Sequence, residues 1–137
     1  MSLVLDASLT VAWLLDDEFG TAAGRIMARV ARDEAHVPSL WRLEVANALR
    51  NVVRRGRCTL DLADGSLERL SRLPILIDAE TDAHAWGRTR ALSTEEDLTL
   101  YDAAYLELAL RLDRPLASND GDLIAAARRR GVEVLLV

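Results

Sequence analysis

Short apolar runs rich in Val, Ile and Leu punctuate this chain, and longer Ala/Leu/Arg-rich stretches separate them. The runs are Leu3–Leu5, Ala35–Val37, Ile75–Ile77, Leu116–Ala117 and residues 132–137. Each is too short for a helix, and an unbroken apolar run of that length suits a strand buried on both faces. Segments 21–34, 39–55 and 101–113 have the length and composition of helices and contain no proline. Pro38, Pro74 and Pro115 all fall at the junctions, where a residue with fixed φ and no N–H belongs. Gly56 and Gly131 follow arginine-rich helix ends, the pattern of a left-handed stop with cations on the helix dipole. Strands alternating with helices predict an α/β fold, a three-layer α/β/α sandwich around a mainly parallel five-stranded sheet. Some crossovers must hold two or more helices. Strand order is not contained in the pattern.

The 137 residues suit one domain spanning 1–137, and a hydrophobic fraction of 50% excludes disorder. All 17 basic residues are arginine. Without lysine the chain cannot carry a phosphate-binding loop of the usual kind, a Schiff-base enzyme or an ordinary protein kinase. A phospho-receiver domain, similar in size, also relies on a lysine beside its acidic pocket. The single Cys58 allows no internal disulfide and no cysteine-cluster zinc site, which predicts a reducing compartment. The opening apolar run meets Asp6 too early for a secretory leader, and no run approaches the ~20 residues of a membrane span. A cytoplasmic protein without membrane contact is expected. The net charge of -5 argues against binding nucleic acid by bulk electrostatics, but not against a nuclease that recruits its own cations.

Among 22 acids, position is the useful filter. Asp6 directly follows the first predicted strand, and Asp120 follows the fourth. Asp102 opens a helix, and Glu44 lies about one and a half turns into another. Ligands of open α/β sheets collect outside the carboxyl ends of the strands, where Asp6 and Asp120 stand. Each residue also has a purely structural reading. Asp6 and Asp120 are placed to cap helices, and Thr99 and Asp102 have capping-box spacing. Glu44 fits such a reading less well, because Leu40 and Ala48, four residues to either side, offer it no ion pair. It shares a stripe with Asn47 and Asn51 beside the apolar stripe of Trp41, Val45, Ala48 and Val52. Four carboxylates in one pocket would repel without a cation, and an all-oxygen donor set selects Mg²⁺ or Mn²⁺ over zinc. His36 and His84 have no matching partner and are read as structural or surface residues.

At this point the chain resembles the PIN-domain ribonucleases, specifically the VapC-type toxins. The resemblance is carried by Val4-Leu5-Asp6-Ala7-Ser8, the stretch from Pro38 through Glu44 to Leu49, the stretch from Leu98 through Asp102 to Leu106, and Pro115-Leu116-Ala117-Ser118-Asn119-Asp120. It implies that the ends of the first and fourth strands lie side by side. It implies that Asp6, Glu44, Asp102 and Asp120 form an acidic Mg²⁺ or Mn²⁺ pocket with Ser118 in support. It also implies a homodimer and a cognate VapB-type antitoxin. Ser118 departs mildly from the threonine common in relatives, keeping the hydroxyl. The acidic run Glu95-Glu96-Asp97 is a second departure, read as a solvated loop. Asp122 is read as a solvated acid at a helix start rather than an extra metal ligand.

The expected reaction is hydrolysis of an RNA phosphodiester by a metal-activated water, leaving 5′-phosphate and 3′-hydroxyl ends. Arg50, Arg54, Arg55 and Arg57 at the end of the Glu44 helix, and Arg128, Arg129 and Arg130 at the end of the last helix, are candidates for phosphate contacts. Leu9, Val11, Trp13, Leu14 and Leu15 make the first helix apolar over more than one core face requires, which suits a partner's amphipathic segment. Two other classes compete. A phosphohydrolase with an Asp nucleophile would want an acid two residues after Asp6, where Ser8 stands. A non-catalytic interaction module would explain the caps but not Glu44.

Overall fold

The computed structural model describes residues 1–15 and 21–135. Five strands form one sheet: β1 (Leu3–Leu5), β2 (Ala35–Val37), β3 (Ile75–Ile77), β4 (Leu116–Ala117) and β5 (Val134–Leu135). Helices α1 (Ala7–Leu14) and α2 (Ala22–Asp33) join β1 to β2, and α3 (Trp41–Arg54) and α4 (Leu60–Ser71) join β2 to β3. The crossover to β4 holds α5 (Thr81–His84), α6 (Arg88–Glu96) and α7 (Leu100–Leu112), and α8 (Gly121–Arg129) leads to β5. All five apolar runs are strands. The last is shorter than its run, and Leu136 and Val137 lie outside the described residues. Gly56 and Gly131 have φ of 71° and 75°, the left-handed stops their positions imply.

The sheet order is β3-β2-β1-β4-β5, and every pairing is parallel. From β1 the chain winds outward through β2 to β3, then crosses back to β4 and β5 on the other side. Right-handed crossovers in opposite directions put α1–α4 on one face and α5–α8 on the other. The packing agrees, since α1 lies against α2 and α3 while α7 lies against α6, α8 and β1. The winding reverses between β1 and β4, and the crevice at that switch is where this architecture binds ligands. Leu3, Val4 and Leu5 of the central strand are fully buried, as a strand covered on both faces must be.

The first helix uses more of its apolar circumference internally than a partner-facing reading requires. Leu9 and Leu14 are buried, Val11 and Trp13 pack partly against the core, and Leu15 is exposed. The Arg69 guanidinium of α4 lies 4.7 Å from the Trp13 ring centroid and covers that ring. Among the described residues no helix is long and apolar enough to cross a membrane.

A charge network braces the two faces behind the switch. Arg111 of α7 donates from Nε to Glu107 Oε1 at 2.7 Å and from Nη2 to Asp78 Oδ2 at 2.6 Å, with Nη1 reaching Asp78 Oδ1 at 3.2 Å and Glu80 Oε2 at 3.3 Å. The Thr81 hydroxyl donates to Asp78 Oδ2 and accepts the backbone N–H of Ser39, just before α3. His84 Nδ1 lies 3.9 Å from Glu107 Oε1, so this histidine is structural. Through this chain of contacts α7, the β3–α5 turn and the entry to α3 are held in one arrangement.

Candidate active site

β1 ends at Leu5, so Asp6 emerges at the carboxyl edge of the sheet, buried to 4% exposure. Its Oδ2 accepts two hydroxyls, from Ser8 and Ser118, each at 2.7 Å. Both hydroxyls in turn accept backbone N–H groups from the turn after β4. Asn119 donates to Ser8 Oγ at 3.1 Å and Asp120 donates to Ser118 Oγ at 2.9 Å. The ends of β1 and β4 are therefore laced together across the switch. Burial pushes the Asp6 carboxyl up, against the lowering effect of Ser118 and Ser8, and the nearby Asp120 adds to the rise.

Asp120 serves two roles that the sequence presents as alternatives. Its side chain accepts the Leu123 N–H at 3.0 Å and caps α8, and its charge acts on both Asp6 and Asp102. For α7 the cap is Thr99, whose Oγ1 accepts the Asp102 N–H at 3.1 Å. The Thr99 hydroxyl thus supplies the cap, and it also pulls the Asp102 carboxyl down. Burial and then the charges of Asp120, Asp6 and Glu44 raise the Asp102 pKa from 3.8 to about 6. An acid that senses three other acids faces a common pocket.

Glu44 reaches the same place from the opposite helical layer. It is not partnerless, as its own helix suggests: Tyr105 of α7 donates its hydroxyl to Glu44 Oε1 at 2.6 Å. Burial pushes the Glu44 carboxyl up, the phenol pulls it down, and Asp6 pushes it up again. Burial and the adjacent acids raise the Tyr105 phenol, which therefore stays a proton donor. All four acids selected from the sequence lie along the switch within range of one another's charge, and Ser118 supports Asp6 by hydrogen bonding. The residues missed are Ser8 and Tyr105. Both lie in stretches already of interest, two positions after Asp6 and one helical turn after Asp102, and only the spacing hinted at them.

Two expectations change. Glu95 and Glu96 are not in a solvated loop but in the last turn of α6, with Asp97 in the left-handed conformation that ends it. Arg129 and Arg130, at the end of α8, pair with these glutamates at 2.6–2.8 Å, so these two candidates for phosphate contacts already have carboxylate partners. The run looks solvated because its cations lie more than thirty positions downstream. Arg50, Arg54 and Arg55 are exposed, and among the described residues none of them has a carboxylate partner. Arg54 stands about 15 Å along α3 from Glu44. Asp122 is exposed in the first turn of α8, where an acid favours the helix dipole.

The donor set is entirely oxygen, which fits a hard divalent cation. Among the described residues no three acidic, His or Cys side chains are gathered tightly enough to hold a metal by themselves.

The sequence profile of the PIN domain matches residues 3–129. The chain is 35% identical over 124 residues to Ribonuclease VapC3 of Pyrobaculum aerophilum, covering 85% of this chain and 93% of that one. It is 33% identical over 126 residues to Ribonuclease VapC3 of Mycobacterium tuberculosis, covering 90% and 86%. The crystal structure of PAE2754 from Pyrobaculum aerophilum superposes with a TM-score of 0.71 over 98% of this chain and 90% of that one, at 22% identity.

Proposed function

The chain belongs to the PIN-domain family as a VapC-type ribonuclease, and on that basis we propose that it is a metal-dependent endoribonuclease toxin whose site is the acidic pocket at the β1/β4 switch. The observation that carries this reading is the placement of Asp6, Glu44, Asp102 and Asp120 at one sheet edge from both helical layers, with Asp102 near enough to feel the other three charges. Asp6, Asp102 and Asp120 would hold Mg²⁺ or Mn²⁺, with Glu44 as a further ligand or as the group that orients the attacking water. When bound, the cation lowers the pKa of water and offsets charge on the phosphate and the leaving oxygen. The chain's own part is positional. Ser8 and Ser118 occupy Oδ2 of Asp6, leaving Oδ1 as the oxygen their hydroxyls do not use. Asp120 is fixed by the Leu123 N–H, and Asp102 is fixed by a helix that Thr99 caps. Arg50, Arg54 and Arg55 would contact phosphates of the RNA beyond the scissile bond.

The test is cleavage of mixed RNA with Mn²⁺, with and without chelator, followed by end-group analysis. Cleavage that needs the metal and leaves 5′-phosphate ends supports the proposal; cleavage that survives chelator, or leaves cyclic phosphate, overturns it.

We further propose a VapB-type antitoxin partner and a homodimer in the cytoplasm. Leu15, Leu43, Leu60 and Leu62 are 44–77% exposed on or beside α1, α3 and α4, and a partner would cover them. Light scattering on the chain alone and co-expressed with the neighbouring open reading frame reads both. A lone monomer in each case contradicts both.

A further inference from the structure

We infer that Tyr105 is a positioning residue for the cation site and acts through Glu44. The inference rests on the metal-dependent reading above and adds a residue that reading does not need. Tyr105 is fully buried, and a buried phenol needs a partner for its O–H. The partner is a carboxylate 61 positions away, on a helix from the other face of the sheet. At 2.6 Å this is a short, charge-assisted bond. Tyr105 follows Asp102 by three positions, so the two share one face of α7 and move together.

The bond has a specific task. Asp6 and Asp102 repel Glu44, and its side chain has free torsions with which to swing toward solvent. Among the described residues, Tyr105 is the group that donates a hydrogen bond to the Glu44 carboxylate. It holds Oε1 in the pocket against that repulsion and leaves Oε2 for a cation or water. Glu44 is thereby placed before the metal arrives.

The experiment is Tyr105→Phe, which keeps the ring and removes only the hydroxyl. Mn²⁺ affinity is read directly by the electron paramagnetic resonance signal of free Mn²⁺, and melting in chelator checks the fold. Affinity is expected to fall about 10- to 100-fold, the range for groups that orient metal ligands. In a Glu44→Ala background the same substitution is expected to change affinity no further, because its effect runs through Glu44. Unchanged Mn²⁺ affinity in Tyr105→Phe overturns the positioning role, and so does an equal loss with and without Glu44. Failure of the unsubstituted protein to bind Mn²⁺ is a separate result and overturns the cation reading itself.

Discussion

Asp102→Asn is expected to cut RNA cleavage more than about 100-fold, beyond the usual cost of losing an outer-shell partner, while the fold survives. The helix start does not depend on this carboxylate, since Thr99 supplies the cap. Asparagine keeps the shape and removes one negative charge from the proposed cation site. The same variant reports on the metal-free protein. Burial and three neighbouring acids raise the Asp102 pKa from 3.8 to about 6 in the fold. Between those values the native state binds more protons than the unfolded chain, so stability falls as pH rises through the window and levels off above it. Asparagine has nothing to titrate. In chelator the variant should therefore melt higher than the unsubstituted protein at pH 7.5, with the gap closing toward pH 4. Near-normal cleavage with an unchanged pH profile of melting would remove Asp102 from the proposed site.

The largest stability effect is expected at Arg111. Its guanidinium satisfies Asp78 in a two-point contact and Glu107 in another, and those carboxylate side chains are only 10% and 4% exposed. Asp78 is held below the usual carboxylate range, where Arg111 and Thr81 outweigh its burial. Arg111→Met keeps much of the volume and strands both acids. Removing one partner from a buried pair costs about 3–5 kcal/mol, because the remaining charge stays desolvated. Adding Glu107→Leu should restore part of the loss, since an apolar replacement leaves no charge behind. Urea unfolding measures both. A cost below about 1 kcal/mol for Arg111→Met would mean that solvent screens the network as it screens a surface pair.

Much of this architecture is local information. Val-, Ile- and Leu-rich runs of strand length, three prolines at junctions and two glycines at helix ends place most elements within a residue or two of where they lie. Strand order is different, because nothing in Leu3–Leu5 states that it pairs with β4 as well as β2. The resemblance carried that point, and the register of Val4 with Leu116 and Leu5 with Ala117 bears it out. The four acids were legible because each sits at a strand end or early in a helix. Of their supports, Ser118 came only with the resemblance, and Ser8 and Tyr105 did not come at all. Ser118 meets Asp6 across 112 positions, Tyr105 meets Glu44 across 61 and Arg111 meets Asp78 across 33. Glu95 and Glu96 show the same blindness in reverse: a charge run looks solvated until the fold brings Arg129 and Arg130 to it. Local pattern finds the chemistry, and only tertiary proximity finds what holds it.

The central claim is that one cation site lies at the β1/β4 switch. Anomalous diffraction from crystals soaked in Mn²⁺ tests it most directly, because the signal marks the metal without reference to activity. A manganese peak bounded by the carboxylates of Asp6, Asp102 and Asp120, and lost in Asp102→Asn, is the predicted result. A fully occupied peak elsewhere with none at these three residues, or no peak at any soak concentration, would contradict it.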